Sequence, residues 1–181
     1  PLLVTLAGVA FAVVAPPAGA APSADQQLVD RYAPVLMLRE QNSPPCDTSG
    51  EQYAPTSVDA VLGSPKVSLQ LKRKGQPTRT VKRAPTAADI AGLGGDFYLD
   101  LPGDTLEPGC TYAKDFAALR KGGRAPAVTY THIARQPGHS GFAVQYWFFY
   151  YFNQFNDVHE GDWEGMQLTF TADTPEQALA D

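Results

Sequence analysis

The apolar residues of this chain recur at a two-residue period in several short stretches, a pattern that predicts strands. Val67, Leu69 and Leu71 alternate with Lys66, Ser68 and Gln70, so 66–71 is expected as a half-buried strand. After the turn residues Gly75-Gln76-Pro77, the segment 78–83 is its expected hairpin partner. Val35-Leu36-Met37-Leu38 reads as a short buried strand and Phe97 to Leu101 as another. Val128, Tyr130 and His132 alternate with Thr129, Thr131 and Ile133. Val144 to Phe152 differs from these, because both of its faces are bulky and mostly apolar. It is expected to be a central strand covered on both sides. Asp162 to Phe170 is its expected antiparallel partner.

Helices are shorter and are announced by their caps. Ser23 caps a helix running to Tyr32, with Leu28, Val29 and Tyr32 on one face and Pro34 beyond its end. Ser57 starts one or two turns ended by Gly63, and Thr86 starts another short helix ended by Gly92. Tyr112 to Leu119 is a helix stopped by Gly122-Gly123. Thr174-Pro175-Glu176-Gln177 combines a capping threonine, proline at the first helical position and glutamine three residues after the cap. The predicted fold is mainly β, a sandwich or jelly-roll-like packing with a few short helices, in one domain over 21–181. The last helix is left after less than two turns, so this domain is expected to be incomplete at its C-terminus.

Side-chain direction then concentrates the chemistry. Asp162 and Glu164 are two apart, so a strand points both to one face, together with Met166, Leu168 and Phe170. Two carboxylates at the mouth of a core are costly unless paired, hydrogen-bonded or bound to a cation. His159 precedes them and adds a nitrogen ligand or proton carrier, with Glu160 beside it. Such a group suits a hard or borderline divalent cation, Ca²⁺, Mg²⁺ or Mn²⁺. The competing expectation is a polar cluster satisfied by Tyr130, Tyr146 or backbone amides, or paired with Arg124 or Arg135. His132, on the face of Tyr130, is expected either as a satisfied core histidine or close to the cluster, and His139 as an exposed loop residue. There is no Gly-x-Ser-x-Gly elbow, Walker loop or Gly-x-Gly-x-x-Gly.

Composition narrows the setting. With 44% hydrophobic and 18% charged residues the chain is globular, and a net charge of −5 argues against a nucleic-acid partner. Lys66, Lys72, Arg73, Lys74, Arg79, Lys82 and Arg83 fall in one segment, expected as a solvated hairpin or, more sharply, a patch for anionic head groups or glycans. Leu2 to Val14 is apolar, and Ala18-Gly19-Ala20 supplies small residues at a cleavage site, so residues 1–20 are expected to be a signal peptide clipped at its start. The mature chain is expected to be secreted, with no transmembrane span. Cys46 and Cys110 would then pair, closing a loop of about 64 residues.

The stretch Gln145-Tyr146-Trp147-Phe148-Phe149-Tyr150, followed by His159-Glu160-Gly161-Asp162-Trp163-Glu164, resembles the signature of the vacuolar protein sorting-associated protein 62 family. Arg31-Tyr32-Ala33-Pro34-Val35-Leu36, Tyr53-Ala54-Pro55 and Tyr130-Thr131-His132 resemble its earlier blocks. That family implies little chemistry. The same acidic motif is more distantly similar to the Gly-His-Arg-His-Asp-Trp-Glu motif of necrosis- and ethylene-inducing peptide-like proteins. There His159, Asp162, Trp163 and Glu164 match, while Glu160 and Gly161 stand where that motif has arginine and its second histidine. The resemblance implies a β-sandwich, a divalent cation held by His159, Asp162 and Glu164, and a lipid head group as ligand. The two departures keep membrane-damaging activity from being carried over. Glu160, Trp163, His132 and Tyr146 are the expected ligand-binding or supporting residues. Three functions follow: a cation-dependent binder of a glycan or lipid head group, a metal-assisted or acid/base hydrolase using the same residues, and a non-catalytic structural or interaction protein.

Overall fold

A computed structural model describes residues 21–38, 46, 52–155 and 157–180. The segment 1–20, expected as a signal peptide, and most of the loop expected over 42–50 lie outside the described residues. The described residues divide into two compact units, one within 61–102 and the other within 21–60 and 103–180. There is more strand than helix, so the mainly β class holds. The strands are arranged as two three-stranded antiparallel sheets.

In the larger unit, Ser23 opens helix α1 (Ala24–Arg31), its hydroxyl accepting from the amide of Gln26 at 3.2 Å. In the smaller unit, strand β1 (Ser68–Leu71) lies between β2 (Arg79–Arg83) and β3 (Phe97–Asp100), with the short helix α2 (Ala87–Ile90) between β2 and β3 in sequence. Its central position changes the half-buried expectation: all four residues of β1 are buried. Ser68 and Gln70 tolerate this because both donate to the Asp100 carboxylate, at 3.1 and 3.2 Å. β2 is exposed along its whole length, which puts Arg79, Lys82 and Arg83 of the basic run at the surface. On it Lys82 reaches Asp89 at 2.6 Å, and Asp89 also accepts from the Thr86 amide and hydroxyl. The hydrogen bond from Lys82, then those from Thr86, hold the Asp89 carboxyl well below its ordinary range.

The larger unit continues with α3 (Thr111–Lys121), β4 (Tyr130–Ala134), β5 (Phe142–Asn153), β6 (His159–Phe170) and α4 (Pro175–Ala180). β5 is central, with β4 and β6 on either side. Tyr146 lies opposite Thr131 on one side and Met166 on the other. One face of this sheet packs on α1 and α4. Leu28, Phe142, Val144, Tyr146, Phe148 and Ala178 form the buried cluster, with Leu168 and Phe170 against it. α4 carries the predicted cap: Gln177 donates its amide to the Thr174 hydroxyl and accepts the Thr174 amide with its side chain, both at 3.3 Å. At the far end of β5, Tyr112 of α3 stacks on Phe152 with centroids 3.8 Å apart, and Phe116 stacks on Tyr151 at 5.7 Å. Cys46 and Cys110 form the expected disulfide.

One expected strand is absent. Val35–Leu38 pairs with no strand among the described residues, and Val35 and Met37 are 85% and 89% exposed. A short apolar run becomes a buried strand only where a neighbour satisfies its backbone N–H and C=O groups. Neither three-stranded sheet adds it as a fourth strand.

Candidate functional site

The predicted pairing of the two long strands is present, and it is longer than the alternation implied. β6 begins at His159, so His159 and Glu160 belong to the strand rather than to the loop before it. Phe148 faces Glu164 and Tyr150 faces Asp162, which puts both carboxylates on the sheet face that carries the α1–α4 core. They do not enter that core. β6 is an outer strand, and Glu164 and Met166 are exposed while Asp162 is half-buried. The core closes at Leu168 and Phe170, where the helices cover the sheet, so the acids stand at its rim.

Gly161 shapes the site. Residues three apart in an extended strand are separated by about 10 Å and point to opposite faces. Yet His159 Nε2 lies 4.0 Å from Asp162 Oδ1. Between them stands Gly161, whose φ of +66° departs from extended backbone within a strand whose register with β5 continues on either side. That backbone conformation is natural to glycine and strained for other residues. The Gly161 carbonyl then accepts from His159 Nδ1 at 3.0 Å. A carbonyl accepts only, so Nδ1 carries the proton and Nε2 is the ring acceptor. Nε2 in turn receives the Asn153 amide at 3.2 Å, and Asn153 Oδ1 accepts the Phe155 amide at 2.9 Å. The imidazole is thus held in one tautomer and one orientation, the arrangement that usually supports a ligating histidine.

The other expected residues divide around this lip. Glu160 accepts a 2.6 Å hydrogen bond from the Tyr112 hydroxyl and ties β6 to α3. Tyr146 shares the face of the acids but donates to the Val29 carbonyl at 2.9 Å, so it supports α1 instead of the acids. Burial, followed by the charge of Asp30, raises its hydroxyl above the ordinary phenol range. Tyr130 meets the Val58 amide at 3.0 Å, Arg124 reaches the Asp59 carbonyl at 3.5 Å and Arg135 lies over the Phe142 ring, so none of them supplies the partner expected for the acids. His132 is on the opposite sheet face, donating from Nδ1 to Gln145 at 3.1 Å, and does not approach the cluster. Trp163 is also on that opposite face, against Tyr130 and Phe149. Near α3, burial and then the Asp115 carboxylate push the Tyr151 hydroxyl far above its ordinary range.

Among the described residues, no group of three or more His, Cys, Asp or Glu side chains stands close enough to hold a metal ion. Of the three expected ligands, His159 and Asp162 are brought together and Glu164 lies one strand step beyond them. Two protein groups fit a divalent ion that keeps water or ligand oxygens in its remaining positions, and they do not form a closed cage. Asn153, Gly161 and Tyr112 organise the site and were not singled out by sequence. Gly161 carried the one available signal, a glycine amid acids within a strand pattern. Comparison with protein-family models, curated proteins and solved structures found no match to this chain.

Proposed function

We propose that this chain is an exported binding domain whose His159–Asp162 lip takes a divalent cation together with a polar ligand. One observation carries the reading: beside Gly161, whose carbonyl meets His159 Nδ1, His159 faces the Asp162 carboxylate at 4.0 Å. His159 Nε2 and the Asp162 carboxylate would hold the ion, and a glycan or lipid head group would complete its coordination with oxygens. The similarity of His159, Asp162 and Glu164 to the motif of the necrosis- and ethylene-inducing peptide-like proteins supports the same assignment. Export is supported by the Cys46–Cys110 disulfide and by the apolar segment with its small-residue cleavage site at the start of the chain.

Titration calorimetry with Mn²⁺, Ca²⁺ and Mg²⁺ tests it. The wild-type chain should give saturable heat with at least one ion, and Asp162→Asn and His159→Ala should each lose it. Absence of metal-dependent heat in the folded wild type overturns the reading. If the same residues served a hydrolase, chelator-sensitive product would appear with glycoside, phosphoester or ester substrates.

A second reading, a purely structural cluster, is favoured by the Asn153 amide that meets Nε2, the nitrogen an ion would need. It predicts that His159→Ala lowers the melting temperature and that added metal changes neither protein.

A further inference from the structure

We propose that the sheet face opposite the acidic lip is a second binding site, specific for a neutral oligosaccharide. The face is built in rows across β4, β5 and β6. His132, Gln145 and Gln167 form one row, and the next places Tyr130, Trp147 and Gly165 side by side. Phe149 and Trp163 follow in the row after that. Rows two residues apart on a strand are separated by ~7 Å, about the span of one sugar ring.

The two indoles are partly open to solvent, and the buried Phe149 holds the second of them in place. Trp147 is 39% exposed and Trp163 48%. Trp163 packs edge-on to Tyr130, with centroids 5.4 Å apart, and tilted on Phe149 at 5.3 Å. Trp147 lies over Gly165 so closely that a Cβ there would stand 2.8 Å from the indole Cε3. The absence of a side chain at Gly165 is what lets that ring settle onto the strand. Rigid, half-exposed indoles lose little freedom when a ligand covers them. They offer flat apolar surface to the C–H face of a pyranose.

The adjoining row offers hydrogen bonds. His132 Nδ1 donates to Gln145 Oε1 at 3.1 Å, and Gln145 Nε2 donates to Gln167 Oε1 at 2.9 Å. The ladder orients its amides and ends on Gln167, an exposed residue of the outer strand. From the Ala143 row to the Phe149 row, no residue on this face is Asp, Glu, Lys or Arg. A face of indoles and amides without formal charge complements hydroxyl-rich neutral rings. It has nothing to offer phosphate, sulfate or an anionic lipid surface. The site is separate from the cation lip, since Asp162 and Glu164 point to the other face.

The test uses the wild-type chain with cellohexaose, xylohexaose, laminarihexaose and N-acetylchitohexaose, read by tryptophan emission and calorimetry. At least one should shift the emission saturably. Trp147→Ala and Trp163→Ala should weaken it about tenfold or more, as for central aromatic contacts elsewhere. Chelator should leave it unchanged. Gln167→Ala, at an exposed position that the fold does not need, should weaken it about threefold, within the net worth of one hydrogen bond. It keeps the test decisive if a tryptophan variant fails to fold. The proposal is overturned if none of the four sugars binds, if binding survives both Trp163→Ala and Gln167→Ala, if only a sulfated oligosaccharide binds, or if sedimentation shows a second copy covering Trp163.

Discussion

Replacing Gly161 by alanine tests the structure at the point where the site departs from a regular strand. Gly161 sits at φ +66°, and an alanine Cβ there would lie 3.3 Å from Cε2 of the buried Phe149 ring. A left-handed backbone costs a non-glycine residue about 1–2 kcal/mol. For a chain of this size that corresponds to a fall of about 2–8 °C in melting temperature. The second consequence is local. A backbone that relaxes to a regular strand would send His159 and Asp162 to opposite faces and withdraw the carbonyl that holds Nδ1. Thermal unfolding by circular dichroism reads the first effect, and the imidazole nitrogen chemical shifts of His159 read the second. Gly161→Ala should melt below wild type and change the tautomer balance of His159. A variant that melts with wild type and keeps the His159 signals would refute the reasoning, because neither the strain nor the turn would then matter.

Three other outcomes are expected. Cys46→Ser with Cys110→Ser should lower stability by about 2–4 kcal/mol in denaturant, since the bridge closes a separation of 64 residues; an unchanged midpoint would contradict this. Tyr112→Phe keeps the stack on Phe152 and removes the 2.6 Å hydrogen bond to Glu160, so it should cost about 1.5–3 kcal/mol, and Tyr112→Ala more; equal losses would show that the stack contributes nothing. In alkaline titration, tyrosinate absorbance should lag at Tyr53, Tyr146 and Tyr151, because burial pushes Tyr53 up to about 12 and raises Tyr146 and Tyr151 as well. A phenol whose folded value is raised keeps its stabilising share in full below about pH 10 and loses it as pH rises through the folded value, so stability should fall between about pH 10 and 12. Completion of the tyrosinate signal by about pH 10 would exclude it.

The alternation of Val144 to Phe152 and of Asp162 to Phe170 was sufficient to determine both long strands and their pairing, and to place Asp162 and Glu164 on one face. Period-two patterning carries that information because side-chain direction in a strand depends on the local backbone alone. Caps at Ser23 and Thr174 were legible for the same reason: their hydrogen bonds span three residues. What lay beyond the sequence depended on neighbours. Whether a strand is central or outer decides burial, so Ser68 and Gln70 are buried in β1 while Glu164 and Met166 are exposed in β6. Val35–Leu38 has strand-forming residues and, among the described residues, no strand beside it, and sequence pattern does not count partners. His132 and Tyr146 were drawn toward the acids by their residue type, and the register of three strands set one on the far face and gave the other to Val29. The turn at Gly161 is the clearest case. The letters show a glycine among acids, whereas the folded backbone shows where it acts: its positive φ lies between two side chains that a regular strand would hold apart.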